Sequence, residues 1–303
     1  MTASSGGTTA FSADPLLDLP EVEGVKHRFV DADGHQVHVA EAGDADAPPV
    51  LLLHGWPQHW YMWRGVIERL SSHFRLIAPD LRGFGWTEAP GHGYDADTFA
   101  SDQVALLDAL EIETVSVIGH DWGGWTSFLL GIDHADRIER MVVCNSPHPW
   151  PRVEPRSVLE TWRSWYALVN ASPLGKWLAQ STRIPELILS RGNAGDPFPE
   201  GVDLYLKQFR DPQRADAAMK LYRYYLRIFA SGVRGGGTLR DKRLTVPTLL
   251  LFGAADRYVS PRLLPGYESH ADEMELEMVP DSGHFLVNEK PELVARRALA
   301  FLS

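Results

Sequence analysis

Cysteine is nearly absent from this sequence, since Cys144 is the only one among 303 residues. One thiol is not enough for an internal disulfide, so nothing here indicates an oxidising compartment. Cys144 ends a short apolar run, which favours a buried structural thiol over a reactive one. The first 20 residues have neither a basic start nor a long apolar core, so we expect a loose tail rather than a signal peptide.

Long apolar runs and clusters of basic residues are also missing. No apolar stretch has the length that a bilayer-spanning helix needs. Lys and Arg number 29 against 40 Asp and Glu, which gives a formal net charge of -11. A field of that sign repels phosphate groups. We therefore expect a cytoplasmic protein that binds neither nucleic acid nor a membrane, and both a monomer and a homodimer stay open.

Short apolar runs recur along the chain and are typical of strands buried in a sheet. They lie at 50–53, 74–78, 115–118, 141–144, 248–252 and 276–279. Two alternating segments around Asp33-Gly34, at 25–30 and 36–40, predict a β-hairpin. Helix-like segments such as 101–110 and 124–130 separate most of the runs. This alternation predicts an α/β fold with a mostly parallel sheet and helices on both faces.

The alternation breaks between about residues 146 and 243, where no strand-like run occurs. Aromatic helical segments at 156–169 and 213–230 fill this stretch, and Gly235-Gly236-Gly237 lies near its end. We interpret it as a helical cap over the carboxyl edge of the sheet, the edge at which open α/β sheets bind ligands. The predicted domains are a tail at 1–24, a core at 25–146 and 241–303, and the cap at 147–240.

The sharpest motif is Gly119-His120-Asp121-Trp122-Gly123, directly after a predicted strand. It fits the pattern Gly-x-nucleophile-x-Gly, in which a strained turn lifts the central side chain above the sheet. A carboxylate is ionised at neutral pH and needs no base to start, but it is a weak nucleophile. Asp121 is therefore predicted to attack a strained or activated carbon, as in an epoxide or an alkyl halide. The alternative is a helix-capping Asp in a glycine-rich loop.

Two later loops supply partners in the order that this kind of site uses, nucleophile, acid and then histidine. Asp256 follows the predicted strand 248–252, and His284 follows the predicted strand 276–279. A carboxylate can orient a histidine and stabilise its protonated form, and the histidine can activate water. The alternatives are a solvated loop Asp and a surface His. His54, in the loop after residues 50–53, is expected to be structural.

With these residues the chain resembles the epoxide hydrolases of the α/β-hydrolase fold. The resemblance runs from about Val25 to the C-terminus. Besides the motif at 119–123, it includes the segments 54–58 and 80–85. It implies that the backbone amides of Trp56 and Trp122 form an oxyanion hole. The Trp56-Pro57 bond is a candidate for the cis form.

The resemblance further implies two cap tyrosines that hold and protonate the epoxide oxygen. Tyr166, in Ser164-Trp165-Tyr166, and Tyr222 match these positions. Both also belong to apolar stripes at helical spacing and could simply be part of the cap core. The stripes are Trp162, Trp165, Tyr166 and Val169, and Met219, Tyr222, Leu226 and Phe229. Tyr224 and Tyr225 stay open as the second tyrosine if the helix is rotated.

Aromatic residues near the predicted site favour a small apolar epoxide, with water as the second substrate. The proposed substrate-binding residues are Trp56, Trp122, Trp125 and Trp165, and Trp60 and Trp150 are also counted near the site. No clustered Cys/His pattern and no phosphate-binding loop is present, so neither a metal nor an organic cofactor is expected.

Three other functions are possible for a chain with Asp121 at this turn. A haloalkane dehalogenase would use the same Asp121, His284 and Asp256, with the Trp122 indole as one halide donor and no clear second donor. Fluoroacetate dehalogenases usually carry Arg where this chain has Trp122 and Trp125, which argues against a small carboxylate substrate. A non-catalytic binding member of the fold would tolerate Asp121→Asn.

Overall fold

The computed structural model describes residues 19–152, 160–195, 201–233, 239 and 241–303. Its centre is an eight-stranded sheet in the order β1-β2-β4-β3-β5-β6-β7-β8. The strands are β1 Lys26–Ala32, β2 His35–Ala42, β3 Pro49–Leu53, β4 Arg75–Pro79, β5 Val115–His120, β6 Ile138–Cys144, β7 Thr248–Gly253 and β8 Met274–Val279. Every strand predicted from an apolar run is present.

The strand directions also match the prediction of a mostly parallel sheet. β2 pairs antiparallel with both β1 and β4, and the other pairs, from β4-β3 to β7-β8, are parallel. In the hairpin between β1 and β2, Asp33 and Gly34 have φ angles of 55° and 78°. Two positive φ angles give the turn a twist that matches the flanking strands, as the Asp-Gly pair predicts.

Helices cover the sheet and fill the segment between β6 and β7. In chain order they are α1 Arg64–Leu70, α2 Ala96–Ala109, α3 Trp122–Asp133, α4 Trp165–Ala171, α5 Gly175–Ser181, α6 Ile184–Gly192, α7 Val202–Lys207, α8 Pro212–Val233, α9 Leu286–Glu289 and α10 Pro291–Leu302. The helices predicted at 101–110 and 124–130 are longer in the structure, where they are α2 and α3. α2 starts earlier because the Asp95 side chain caps it by accepting a hydrogen bond from the Thr98 amide. α3 starts at Trp122, inside the turn motif itself.

The inserted segment is helical where the structure describes it. Residues 161–164 form a short 3₁₀ helix that leads into α4, so the predicted helix at 156–169 is interrupted, and its first part lies outside the described residues. The predicted helix at 213–230 is α8. The tail at 1–18 and the glycines at 235–237 also lie outside the described residues. No helix in the described part of the chain combines the length and apolar character of a membrane span.

The core lies between the sheet and its helices. The side chains of residues 50–53 on β3 are at most 1% exposed, and all of β5 is buried. Cys144 at the end of β6 is buried too, and burial raises the pKa of its thiol to about 12. It is therefore the structural thiol that the sequence predicts. The carboxyl ends of β3, β5, β6, β7 and β8 form one edge of the sheet.

Candidate active site

The turn between β5 and α3 holds Asp121 in a strained conformation. Its φ of 51° and ψ of -114° are unusual for a residue with a side chain. The close packing of the turn requires glycine at position 123, where an added Cβ would lie 2.1 Å from the Leu53 carbonyl oxygen. The turn thus lifts the Asp121 side chain above the carboxyl edge of the sheet.

Backbone amides from two loops hold the Asp121 carboxylate. The Trp56 amide donates to Oδ2 at 3.0 Å, and the Trp122 amide is also hydrogen-bonded to this carboxylate. Oδ1 faces Nε2 of His284 at 3.8 Å, beyond hydrogen-bond distance. The Trp56-Pro57 peptide bond is cis. Oδ2 is thus held by the Trp56 amide, and Oδ1 is the oxygen that lies toward His284.

Burial raises the pKa of Asp121 to about 6, against the opposing effects of the His284 charge and the two amides. Asp121 is therefore still mostly ionised at neutral pH. The raised pKa also means that part of its hydration has been lost, which makes a carboxylate a better nucleophile.

His284 is oriented by Asp256. Its Nδ1 donates to Oδ2 of Asp256 at 2.9 Å, which leaves Nε2 toward Asp121. Burial opposes the charged form of His284, but the charge and hydrogen bond of Asp256 outweigh it and raise the pKa of the imidazole. Burial likewise opposes ionisation of Asp256, and the charge and hydrogen bond of His284 lower its pKa overall. The pair can hold a proton on His284 without neutralising Asp256.

Asn145 completes the environment of Asp256 and was missed by the sequence analysis. Its side-chain amide donates to Asp256 Oδ2 at 2.8 Å and to the Gly283 carbonyl at 3.1 Å. The amides of Tyr258 and Val259 donate to the other Asp256 oxygen at 2.8 and 3.0 Å. The sequence could have indicated Asn145, because this residue directly follows β6 at the same sheet edge as Asp121 and Asp256.

The other histidines near this edge have structural roles. His54 accepts a hydrogen bond from the Leu81 amide at Nε2, 2.9 Å away, while its Nδ1 lies 3.1 Å from the Gly55 carbonyl. Burial lowers its pKa, so it is neutral, as its structural role predicts. His120 places Nε2 at 2.9 Å from the His284 carbonyl, and burial lowers its pKa to about 3. Sequence reasoning did not single out His120.

Helix α8 brings Tyr222 against Trp56 and Trp122, the two residues whose amides bind the Asp121 carboxylate. Its ring lies edge-on to those of Trp56 and Trp122, with centroids 5.1 and 6.3 Å apart. Tyr166 from α4 meets Tyr222 with centroids 5.6 Å apart at 88°. Burial raises the pKa of both phenols well above the usual value, and the charge of Asp121 adds to this effect. Both hydroxyls therefore keep their protons at neutral pH.

The hydroxyls of the two neighbouring α8 tyrosines, Tyr224 and Tyr225, have other hydrogen-bond partners. The Tyr225 hydroxyl lies 3.2 Å from the Ser164 hydroxyl, and its ring is 6.2 Å from that of Trp122. Tyr224 is hydrogen-bonded to the backbone of Ala96, at the start of α2. Of the three α8 tyrosines, Tyr222 is the one whose ring contacts both Tyr166 and Trp56.

The predicted tryptophans fall into two groups. Trp56, Trp122 and Trp165 belong to the aromatic cluster around Tyr166 and Tyr222. Trp125 is half-buried on α3, one turn after Asp121, and its indole N–H has no hydrogen-bond partner among the described residues.

Trp60 and Trp150, by contrast, do not lie against the site. Trp60 packs on His27 and His38, and Trp150 stacks on His270 and donates to the Leu239 carbonyl at 2.8 Å. The expectation that they lie near the site is wrong, because their rings pack against other residues of the fold. The described residues also contain no group of three or more His, Cys, Asp and Glu arranged to hold a metal ion.

Comparison with known proteins agrees with the fold. The α/β hydrolase fold family matches residues 48–291. The AB hydrolase superfamily protein YfhM of Bacillus subtilis is 30% identical over 93% of this chain and 99% of its own length. A soluble epoxide hydrolase of Corynebacterium sp. (strain C12) is 29% identical over 92% of this chain and 98% of its own. The structure of the epoxide hydrolase CorEH without ligand matches with a TM-score of 0.80, at 29% identity, over 92% of this chain and 98% of that one. The chain therefore belongs to the α/β-hydrolase fold family.

Proposed function

We propose that this protein hydrolyses a small apolar epoxide to a vicinal diol through a covalent ester on Asp121. The observation that carries the proposal is the pair of protonated phenols, Tyr166 and Tyr222, in one aromatic cluster beside a carboxylate at a nucleophile turn. The similarity to an epoxide hydrolase of Corynebacterium over nearly the whole chain supports the same substrate class. Residues 147–240 would act as the cap domain, closing the site over the substrate.

In the first step Oδ1 of Asp121 attacks a ring carbon of the epoxide. A carbon–oxygen bond to Asp121 forms, and the ring carbon–oxygen bond breaks. Negative charge develops on the former ring oxygen, and hydroxyl donors aimed at such a charge lower the barrier. Tyr166 and Tyr222 supply these donors, and one of them transfers its proton to the oxygen.

In the second step water hydrolyses the ester. Nε2 of His284 takes one proton as the water oxygen adds to the Asp121 carboxyl carbon. The amides of Trp56 and Trp122 already contact this carboxylate, so they would stabilise the oxyanion without rearrangement. Collapse releases the diol. The proton held by His284 returns to the tyrosinate, and the carboxyl proton goes to the leaving alkoxide, which restores every group.

The geometry favours an epoxide over a haloalkane. A halide leaving group would need the Trp122 indole N–H as a donor. In this structure that side chain is hydrogen-bonded to Tyr222 instead. A halide ion also takes no proton, so a pair of phenols would have no chemical task in dehalogenation.

Incubation with styrene oxide and, separately, with 1-bromobutane tests the substrate class. We expect phenylethanediol from the first and no bromide from the second. Asp121→Asn should abolish diol formation, whereas Asp133→Asn, a carboxylate change at the far end of α3, should not. Bromide release without diol would identify a dehalogenase. Binding of styrene oxide without product, unchanged by Asp121→Asn, would identify a non-catalytic binding protein.

A further inference from the structure

The carboxylate of Glu289, the last residue of α9, joins two segments that belong to different parts of the fold. Both of its oxygens lie 3.0 Å from the Gly283 amide, which precedes His284. Oε2 also accepts a hydrogen bond from the Ala194 amide at 3.0 Å, just after α6 of the helical insertion. One side chain thus binds the loop of His284 and the inserted helices at once.

The two segments also touch directly through their backbones. The His284 amide donates to the Gly192 carbonyl at 2.7 Å. A Cβ added at Gly283 would lie 2.1 Å from the same carbonyl oxygen and 2.8 Å from the Ala194 nitrogen. With backbones this close, a shift of the insertion at residues 192–194 must move the loop of His284. Glu289 is the side chain that binds both segments and fixes their positions relative to each other.

Glu289 also contributes charge at the site without touching the reacting groups. The charged groups that act on His284 include Asp256, Asp121 and Glu289, and two further titratable rings face it, His120 and Tyr258, with centroids 5.2 and 5.4 Å away. The negative charges of Asp256, Asp121 and Glu289, in that order, favour the protonated imidazole. Glu289 therefore affects both where His284 lies and how tightly it holds a proton.

We propose that Glu289 is a positioning residue that fixes His284 for ester hydrolysis and couples it to the inserted helices. The proposal rests on the function proposed above. Because the attack of Asp121 does not use His284, loss of Glu289 should slow hydrolysis of the ester more than its formation. A small displacement of a catalytic group lowers a rate by roughly 10-fold to 100-fold.

Two variants separate the two effects. Glu289→Gln keeps the size and one acceptor but removes the charge, and Glu289→Ala removes the bridge. Glu292→Gln is the matched control, since Glu292 lies in the first turn of α10, pairs with Arg69 and has a side chain that is 65% exposed. The first readouts need no substrate. They are the NMR titration of His284 and the hydrogen exchange of the Gly283 and Ala194 amides.

For Glu289→Gln we expect the His284 pKa to fall, because one nearby negative charge that favours the protonated imidazole is lost. For Glu289→Ala we expect faster exchange of both amides. The acid limb of ester hydrolysis should move to lower pH in Glu289→Gln, and in Glu289→Ala hydrolysis should slow while ester formation stays within about 2-fold. Glu292→Gln should change none of these.

An unchanged His284 titration in Glu289→Gln together with unchanged amide exchange in Glu289→Ala would overturn the proposal. A wild-type protein that forms no diol would instead refute the proposed function, and the titration and exchange measurements would still decide what Glu289 does. Equal slowing of both chemical steps would reduce Glu289 to a general stabilising residue and would also overturn the proposal.

Discussion

Replacing Tyr222 by Phe removes one hydroxyl from the cluster above Asp121 and leaves the ring contacts in place. The ring is 3% exposed and meets Trp56, Tyr166 and Trp122 at centroid distances of 5.1, 5.6 and 6.3 Å. Those contacts do not need the oxygen. We therefore expect the free energy of unfolding to change by no more than about 1 kcal/mol, the size of one hydrogen bond.

The rate of ester formation should fall much more. Loss of one preorganised donor at a developing oxyanion costs roughly 100-fold to 1000-fold. Tyr166 remains as the second donor, so we expect the lower end, about 100-fold or ~2.7 kcal/mol. Stopped-flow tryptophan fluorescence can follow the step, since Trp56 and Trp122 both contact the reacting carboxylate.

Tyr225→Phe provides the matched control on the same helix. Its hydroxyl lies by Ser164, so ester formation should stay within about 3-fold of the wild type. Ester formation at the wild-type rate in Tyr222→Phe would refute the assignment. A large loss in Tyr225→Phe, with Tyr222→Phe unaffected, would transfer the role to Tyr225.

Three further changes test the surroundings of the nucleophile. Burial raises the folded-state pKa of Asp121 from 3.8 to about 6, so the folded chain binds the proton more tightly than the unfolded one and loses stability as pH rises between these values. Thermal melts of Asp121→Asn should therefore show a stability gain over wild type that grows from pH 4 to pH 7, by at most ~3 kcal/mol, and a constant difference would contradict the pKa. Asn145→Ala removes two hydrogen bonds from buried acceptors and should lower the free energy of unfolding in urea by about 2 kcal/mol, with slower ester hydrolysis. Gly55→Ala would place a methyl group 2.4 Å from the Asp121 Cβ, so ester formation should be lost even if the protein melts normally.

The sheet was predictable because a strand buried on both faces leaves a short apolar run, and each such run became a strand. The candidate nucleophile, acid and histidine were equally visible, because Asp121, Asp256 and His284 each lie in the turn or loop after one of these runs. Asn145 also follows such a run, but its side-chain amide is neither a nucleophile nor an acid or base, so the sequence alone does not single it out. Its role appears only once β6 and β7 are seen as neighbours in the sheet.

The helical insertion was less predictable. Tyr222, Tyr224 and Tyr225 are so close in sequence that a rotation of α8 exchanges them, and periodicity alone does not fix that rotation. The apolar stripe expected from Tyr222 to Phe229 is only partly buried, since Phe229 is 40% exposed. Likewise Trp162, expected at the start of the α4 stripe, is 68% exposed because the chain there is a 3₁₀ helix. Residues 192–194 carry no sequence signal for their contact with the loop of His284, which depends on backbone hydrogen bonds.

A single turnover in heavy-oxygen water shows whether a covalent ester forms on Asp121. Excess enzyme is mixed with styrene oxide, and the peptide that contains Asp121 is then weighed by mass spectrometry. We expect one heavy oxygen in the Asp121 carboxylate and an unlabelled diol, because water attacks the ester carbon and Oδ1 leaves with the product. A labelled diol with unlabelled Asp121 would mean that water opens the ring directly, and the nucleophile assignment would be wrong.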